Sequence, residues 1–313
     1  MSLAKHSNPV WSGYCADPFV LEHDGLYYCY GTASGPDQPH LNGLKFVLLR
    51  SPDLVNWEQI GGALQPPTGR EETDFWAPEV TFANGEFWMY YSCGEVTNHG
   101  DQHLRVAVAD KAEGPFQDLG ILLPDEGFCI DASPFQDPQS GKWYLYFAKD
   151  FFEDRVGTGT AVVELTPDMK DTVGQPTTVI VASHDWQIYE RNRFHYNQEW
   201  EQWHTVEGPF VVFKNGKYYC FFSGGNFQND TYGVGYATAD HPLGPWQVQG
   251  EGATVLTGTS DVIGPGHNSI VMAPDGETMV CVYHAWNKEM TQRMLCINEI
   301  VWTEDGPVVT PTR

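Results

Sequence analysis

Residues 15–35 read CADPFVLEHDGLYYCYGTASG, and versions of the same pattern recur four times downstream. Each leaves a proline or small residue, passes through a short apolar segment into a turn rich in Asp, Asn and Gly, and ends in an aromatic run near Gly or Ser. The later copies are WAPEVTFANGEFWMYYSCG from Trp76, DASPFQDPQSGKWYLYFAKD from Asp131, EGPFVVFKNGKYYCFFSGG from Glu207 and GHNSIVMAPDGETMVCVYHAW from Gly266. With Pro18, Pro78, Pro134, Pro209 and Ser269 as anchors, successive copies lie 60, 56, 75 and 60 residues apart. Two strand-length runs around Asp24-Gly25, Asn84-Gly85, Asn215-Gly216 or Asp275-Gly276 spell a β-hairpin, because the turn between them needs φ > 0.

Most copies are followed by an alternating run, a corner containing Pro, Gly or Asp, and an aromatic that opens another short strand: KFVLLRSPDLVNW, HLRVAVADKAEGPF, TAVVELTPDM and YGVGYATADHPLGPW. Four strands per unit at a regular period predict an all-β protein, a five-bladed β-propeller of four-stranded antiparallel blades around a central channel. Five units of about 60 residues use nearly all of the 313 available, so residues 1–313 read as a single domain. The ring has two candidate closures: GPVVTPT supplies a last strand, or the N-terminal NPVW completes the final blade.

Seventeen basic residues against 41 acidic ones leave a net charge of −24, which argues against nucleic acid, anionic membranes and polyanionic substrates. A neutral ligand fits better, and most of the acids read as solvated surface. The seven cysteines include no CxxC pair, and Cys29, Cys220 and Cys281 fall within apolar strands, where thiols behave as small core residues. The first residues hold no apolar segment of signal-peptide length, and no run approaches the roughly 20 apolar residues of a membrane span. A cytoplasmic location is expected, or a secreted one if the present N-terminus replaces a leader.

In a propeller the innermost strands ring the channel, so equivalent ends of the five first strands converge on one mouth. Asp17 precedes its proline, Glu79 follows one, Asp131 opens the third copy, Glu207 lies two residues before Pro209, and His267 two before Ser269. Any one of these acids alone reads as a turn cap. Several together are costly to bury through repulsion and desolvation, which raise carboxyl pKa values and mark functional sites. Convergent carboxylates with aromatic neighbours suit glycoside hydrolysis, where one acid protonates the leaving oxygen and a carboxylate activates water or attacks the anomeric carbon.

Ala16-Asp17-Pro18, Phe75-Trp76-Ala77-Pro78-Glu79, Ile130-Asp131, Glu207-Gly208-Pro209 and Gly266-His267 occur in this order along essentially the whole chain. In these landmarks the chain resembles glycoside hydrolase family 43, five-bladed propellers that cleave arabinose- and xylose-containing polysaccharides with inversion. The resemblance implies Asp17 as the general base, Glu207 as the general acid, and Asp131 as the carboxylate that keeps Glu207 protonated and oriented. Inversion places the Asp17 and Glu207 carboxyls roughly 6.5–9.5 Å apart, against about 5–5.5 Å for a retaining pair. It also implies that His267 lies beneath the sugar and helps to hold a hydrated divalent cation, calcium, mainly through water, with a hydrogen-bonded core histidine as the alternative. Arg293 resembles the arginine that points into the sugar pocket, or else it pairs with Glu299 or a funnel acid. Trp76 matches a sugar-stacking position, whose indole face suits the C–H side of a ring; inter-blade packing is its other use. Trp57 and Trp246, after equivalent corners, read as packing of the repeat.

The longest interval ends in SHDWQIYERNRFHYNQEWEQWHTVEG, too polar for core, which reads as a loop walling one side of the mouth or as an oligomer contact through His195, Trp200 and Trp203. A walled pocket favours exo-action on terminal arabinofuranosyl or β-xylosyl residues of oligo- or polysaccharides. Endo-acting arabinanase, a sugar-binding propeller without catalysis, and a retaining fructan-type hydrolase remain the alternatives.

Overall fold

The computed structural model describes residues 3–33, 39–68, 74–94 and 101–313; Ser34 and Gly35, at the end of the first repeat, lie outside these. Five four-stranded antiparallel blades follow one another in the sequence, the first two joined edge to edge where Leu64 and Gln65 pair in parallel with Phe116 and Gln117. Blade I holds β1 (Ala16–His23), β2 (Leu26–Thr32), β3 (Lys45–Ser51) and β4 (Glu58–Gln65). Blade II holds β5 (Asp74–Ala83), β6 (Glu86–Gly94), β7 (His103–Ala109) and β8 (Phe116–Ile121). Blade III holds β9 (Cys129–Gln136), β10 (Trp143–Phe151), β11 (Gly157–Leu165) and β12 (Thr172–Ile180). After it comes an extra hairpin, β13 (Ile188–His195) and β14 (Gln198–His204). Blade IV holds β15 (Val206–Lys214), β16 (Lys217–Gly224), β17 (Gly233–Ala239) and β18 (Gln247–Gln249), and blade V holds β19 (Ile263–Met272), β20 (Met279–Trp286), β21 (Arg293–Thr303) and β22 (Gly306–Val309).

The first strands touch in the cyclic order β1, β5, β9, β15, β19 and back to β1, so the sheets close a ring with these strands innermost. Hydrophobic clusters fill the five clefts between adjacent blades. Tyr30 and Phe46 meet Met89 and Phe116 between I and II, Trp88 meets Phe147 between II and III, and Tyr146 meets Phe222 between III and IV. Phe221 meets Tyr283 between IV and V, and Val47 meets Val282 where V returns to I. All seven cysteines are buried free thiols. The five-bladed propeller expected from the repeat is the fold observed.

The turns explain themselves locally. Asp24-Gly25, Asn84-Gly85 and Asn215-Gly216 have positive φ at both residues, the I′ geometry that matches strand twist. The fifth turn departs from this, since only Gly276 of the Asp275-Gly276 pair is left-handed. There the Asp275 carboxylate accepts from the Glu277 and Thr278 N–H groups and fixes a longer loop. Trp57 and Trp246 do pack at equivalent corners, each donating its indole N–H to a nearby carbonyl, Leu54 O and Pro242 O.

Both candidate closures operate in blade V. β22 pairs with the distal half of β21 from Ile300 to Thr303, while Val10 N and Cys15 N donate to Leu295 O and Arg293 O on its proximal half. The outer strand is therefore built from both ends of the chain. Asn8, buried, ties them: its Nδ2 donates to Ile297 O and Thr312 O, and its Oδ1 accepts from Ile297 N.

Candidate active site

One extra residue interrupts the pairing of every innermost strand at the same place. Ala16, Trp76, Ile130, Glu207 and Gly266 each face the second strand, the pairing resumes three residues later, and a β-bulge lies between. The residue after each paired position is left-handed: Asp17 (φ 49°), Ala77 (46°), Asp131 (60°), Gly208 (55°) and His267 (50°). Such φ values strain non-glycine residues and cluster where backbone must re-aim a side chain. Here the five bulges bring Asp17, Trp76, Asp131, Glu207 and His267 to one mouth of the channel. The structure thus corrects two of the anchors: the equivalents of Pro18 are Ala132 and Asn268, not Pro134 and Ser269.

Each bulge N–H is held by the blade before it. Ala77 N donates to Thr32 Oγ1 (2.9 Å), Asp131 N to Ser92 Oγ (3.0 Å), His267 N to Ser223 Oγ (2.8 Å) and Asp17 N to His284 Nδ1 (3.1 Å). The matching position in blade III is Ala148, which has no acceptor. Asp131 replaces it, taking the Gly208 N–H on Oδ2 at 2.9 Å. The carboxylate of one blade is therefore fixed to the backbone beside Glu207 of the next.

Asp17, Asp131, Glu207, Trp76, His267 and Arg293 line one cavity of about 180 Å³, together with Ile130 and Phe227. All six residues singled out from the sequence are brought together there. Arg293, at the start of β21, donates from Nη1 to Asp17 Oδ1 at 3.1 Å, and from Nε and Nη2 to the Tyr14 hydroxyl oxygen. Its guanidinium lies over the rings of Tyr14, Phe227 and Trp286. It pairs with a funnel acid, and this leaves Glu299 aside.

Burial would raise the Asp17 carboxyl, but Arg293, with His267, His284 and a hydrogen bond from Thr32, holds it well below the usual carboxylate range. Burial pushes both histidines below their usual range. Near neutrality Arg293 is thus the charge that keeps Asp17 ionised. His284 accepts the Asp17 N–H on Nδ1, which places its proton on Nε2. Glu207 behaves in the opposite way: burial and the Asp17 charge push it up to about 7, against a hydrogen bond from the Tyr232 hydroxyl (2.7 Å) and the attraction of Arg293. Asp131 is also raised, by burial and then by Glu207 and Asp17. Glu207 and Asp131 resist sharing two charges, so the pair retains a proton towards neutral pH.

Several participants escaped the sequence reading. Thr32, Ser92, Ser223 and His284 hold the bulges, Tyr232 orients Glu207, and Tyr14 and Phe227 cage Arg293. The polar side chains at matched ends of the second strands were the signal available for the first group. Glu79 is buried, its carboxyl pushed well above the usual range by burial and offset by a hydrogen bond from Ser133; its Oε2 has no partner.

His267 places Nδ1 3.5 Å from Asp17 Oδ1. Both amide atoms of the adjacent Asn268, and Nε2 of His284, are buried and unbonded. Such atoms take hydrogen bonds from ordered water, so these residues fit a cation carried in a water shell beside His267. Among the described residues no group of three His, Cys, Asp or Glu side chains is arranged to hold a metal directly.

The segment read as a loop is the β13–β14 hairpin, turned at Tyr196 and Asn197, both left-handed, and joined to blade III through Gly157 and His204. Tyr189, Arg193, His195 and Trp203 from this hairpin line a second cavity of about 340 Å³, which shares Trp76, Ile130, Glu207 and Phe227 with the first.

Residues 6–308 match the model of glycosyl hydrolases family 43. The chain is 30% identical to a β-D-galactofuranosidase of Aspergillus niger over 98% of its own length and 85% of that protein. It is 27% identical to an extracellular exo-α-(1→5)-L-arabinofuranosidase of Streptomyces chartreusis, covering 86% and 79% of the two chains. Among solved structures, a thermostable family-43 glycoside hydrolase superposes with a TM-score of 0.82 at 32% identity, covering 99% and 97%.

Proposed function

The chain belongs to glycosyl hydrolase family 43 and is a glycosidase, and from that premise we propose that it removes terminal arabinofuranosyl or β-xylosyl residues from plant cell-wall oligo- or polysaccharides by an inverting acid/base mechanism. The observation that carries this reading is the opposed electrostatics of Asp17 and Glu207 around one small cavity. Asp17, ionised beside Arg293, takes a proton from water as that water attacks the anomeric carbon. Glu207, protonated to about pH 7, gives its proton to the departing glycosidic oxygen. Asp131, itself pushed up by burial and by Glu207, shares with Glu207 the proton that the pair retains, and it is pinned to Gly208 N, one residue away.

Trp76 offers a face to the sugar ring, and Arg293 both positions Asp17 and reaches sugar hydroxyls. His267 would hold a hydrated divalent cation, calcium by preference for oxygen ligands. Bound there, the cation would add positive charge beneath the carboxylates and favour ionised Asp17. The relative named for β-D-galactofuranosides adds a third glycone to be assayed.

The test is the initial rate on aryl α-L-arabinofuranoside, β-D-xyloside and β-D-galactofuranoside, and on matched oligosaccharides, for wild type and Glu207→Gln. One glycoside is expected to be cleaved, with the product anomer inverted by NMR. The variant should lose about 10²–10⁴-fold on oligosaccharides, the usual worth of a general acid. Wild-type kcat should fall as pH rises through about 7, where Glu207 gives up its proton. If no aryl glycoside is cleaved but linear arabinan is, the exo reading gives way to an endo-arabinanase.

A further inference from the structure

The second cavity lies on the Glu207 side of the first. Both share Glu207 and Trp76, but Asp17, Asp131, His267 and Arg293 line only the inner one. In an inverting reaction water enters from the base and the leaving group departs on the acid side. The outer cavity therefore occupies the position of the departing part of the substrate, and at about 340 Å³ it has nearly twice the volume of the inner one at about 180 Å³.

Its walls combine aromatic faces with a cation, Arg193, and an acid, Asp150. The Arg193 guanidinium lies 4.7 Å from the Tyr189 ring centroid and 5.1 Å from that of Trp203, so two rings hold it in place. Asp150, which lines the same cavity, accepts a 2.5 Å hydrogen bond from the Tyr196 hydroxyl at the hairpin turn. The Tyr196 bond joins the hairpin to β10 at the cavity wall. Burial pushes the Asp150 carboxyl up to about 6, against that bond and the attraction of Arg193. A forked donor and an acceptor lining one cavity match the hydroxyls of a neutral sugar, and the rings match its C–H face. Asp150 and Glu207 on these walls, with Glu190 3.8 Å from the Arg193 guanidinium, outweigh that cation and disfavour an anionic unit such as a uronic acid.

We infer that the β13–β14 hairpin builds a leaving-group subsite for an uncharged sugar unit, read by Arg193 and Asp150, so that the enzyme prefers glycosides of sugars to glycosides of small alcohols or phenols. The inference rests on the hydrolytic reading above and deepens it. The test compares kcat/KM for a neutral disaccharide and for the 4-nitrophenyl glycoside of the same glycone, in wild type, Arg193→Ala and Asp150→Asn. Each variant is expected to lower the disaccharide-to-aryl ratio at least tenfold, with the effect mainly in KM. The ratio cancels any loss common to both substrates, including partial misfolding. A ratio within twofold of wild type in both variants overturns the subsite while leaving hydrolysis intact. A wild type that cleaves no glycoside refutes the hydrolytic reading and the subsite with it.

Discussion

At the level of single residues, one guanidinium decides how two carboxyls divide their work. Arg293 sits 3.1 Å from Asp17 and holds it ionised, whereas Glu207, bonded to a neutral phenol, is left to burial and repulsion. Arg293→Gln should release Asp17 from its depressed range. Since the base works only when ionised, the acidic limb of the kcat/KM profile should move to higher pH, and the alkaline limb set by Glu207 should move less. A pH–rate series on the preferred aryl glycoside reads this; an acidic limb that stays in place removes Arg293 from control of Asp17. The role of Glu79 was not legible, because nothing in the word WAPE distinguishes a surface acid from one sealed against Ser133. Burial is a property of the closed ring, and the sequence carries it only indirectly.

Among structural elements, the bulged first strand is the unit that repeats. The hairpins were plain in the sequence because Asn-Gly and Asp-Gly announce their turns, but the bulges were not, and the third and fifth anchors slipped as a result. Proline follows the left-handed residue in three blades only; Ala132 and Asn268 stand there in the others. The β13–β14 hairpin was equally hidden, since most of its residues are exposed or only half-buried and its sequence shows no sustained apolar–polar alternation. Gly208 is the one glycine among the five left-handed positions, and a Cβ there would meet the His267 ring at 3.3 Å. Gly208→Ala should cost about 1–2 kcal/mol from the left-handed backbone and more from crowding. It should also lower activity by displacing His267 from Asp17. Chemical denaturation together with the aryl-glycoside rate checks both, and an unchanged unfolding midpoint would show that the strand tolerates the side chain.

For the molecule as a whole, stability depends on a ring whose seam lies within blade V. Asn8 contributes four hydrogen bonds at that seam, to Ile297 N and O, Asn298 Oδ1 and Thr312 O. Asn8→Ala strands the buried Ile297 N–H and should cost about 1–3 kcal/mol, measured as a lower thermal midpoint, while the rate per folded molecule holds. The seam also has a history in time. Residues 8–15 leave the ribosome long before residues 293–309, and the bond from Asn8 to Ile297 spans 289 positions. Until residues 293–309 emerge, the segment of residues 8–15 has no partner, and the cleft between blades V and I stays open to water. Contacts of such separation form late, after costly loop closure. The nascent chain is therefore most vulnerable to proteases and to sticking just before its final strand emerges, and the protein's yield in a cell should depend on how quickly that last stretch is translated.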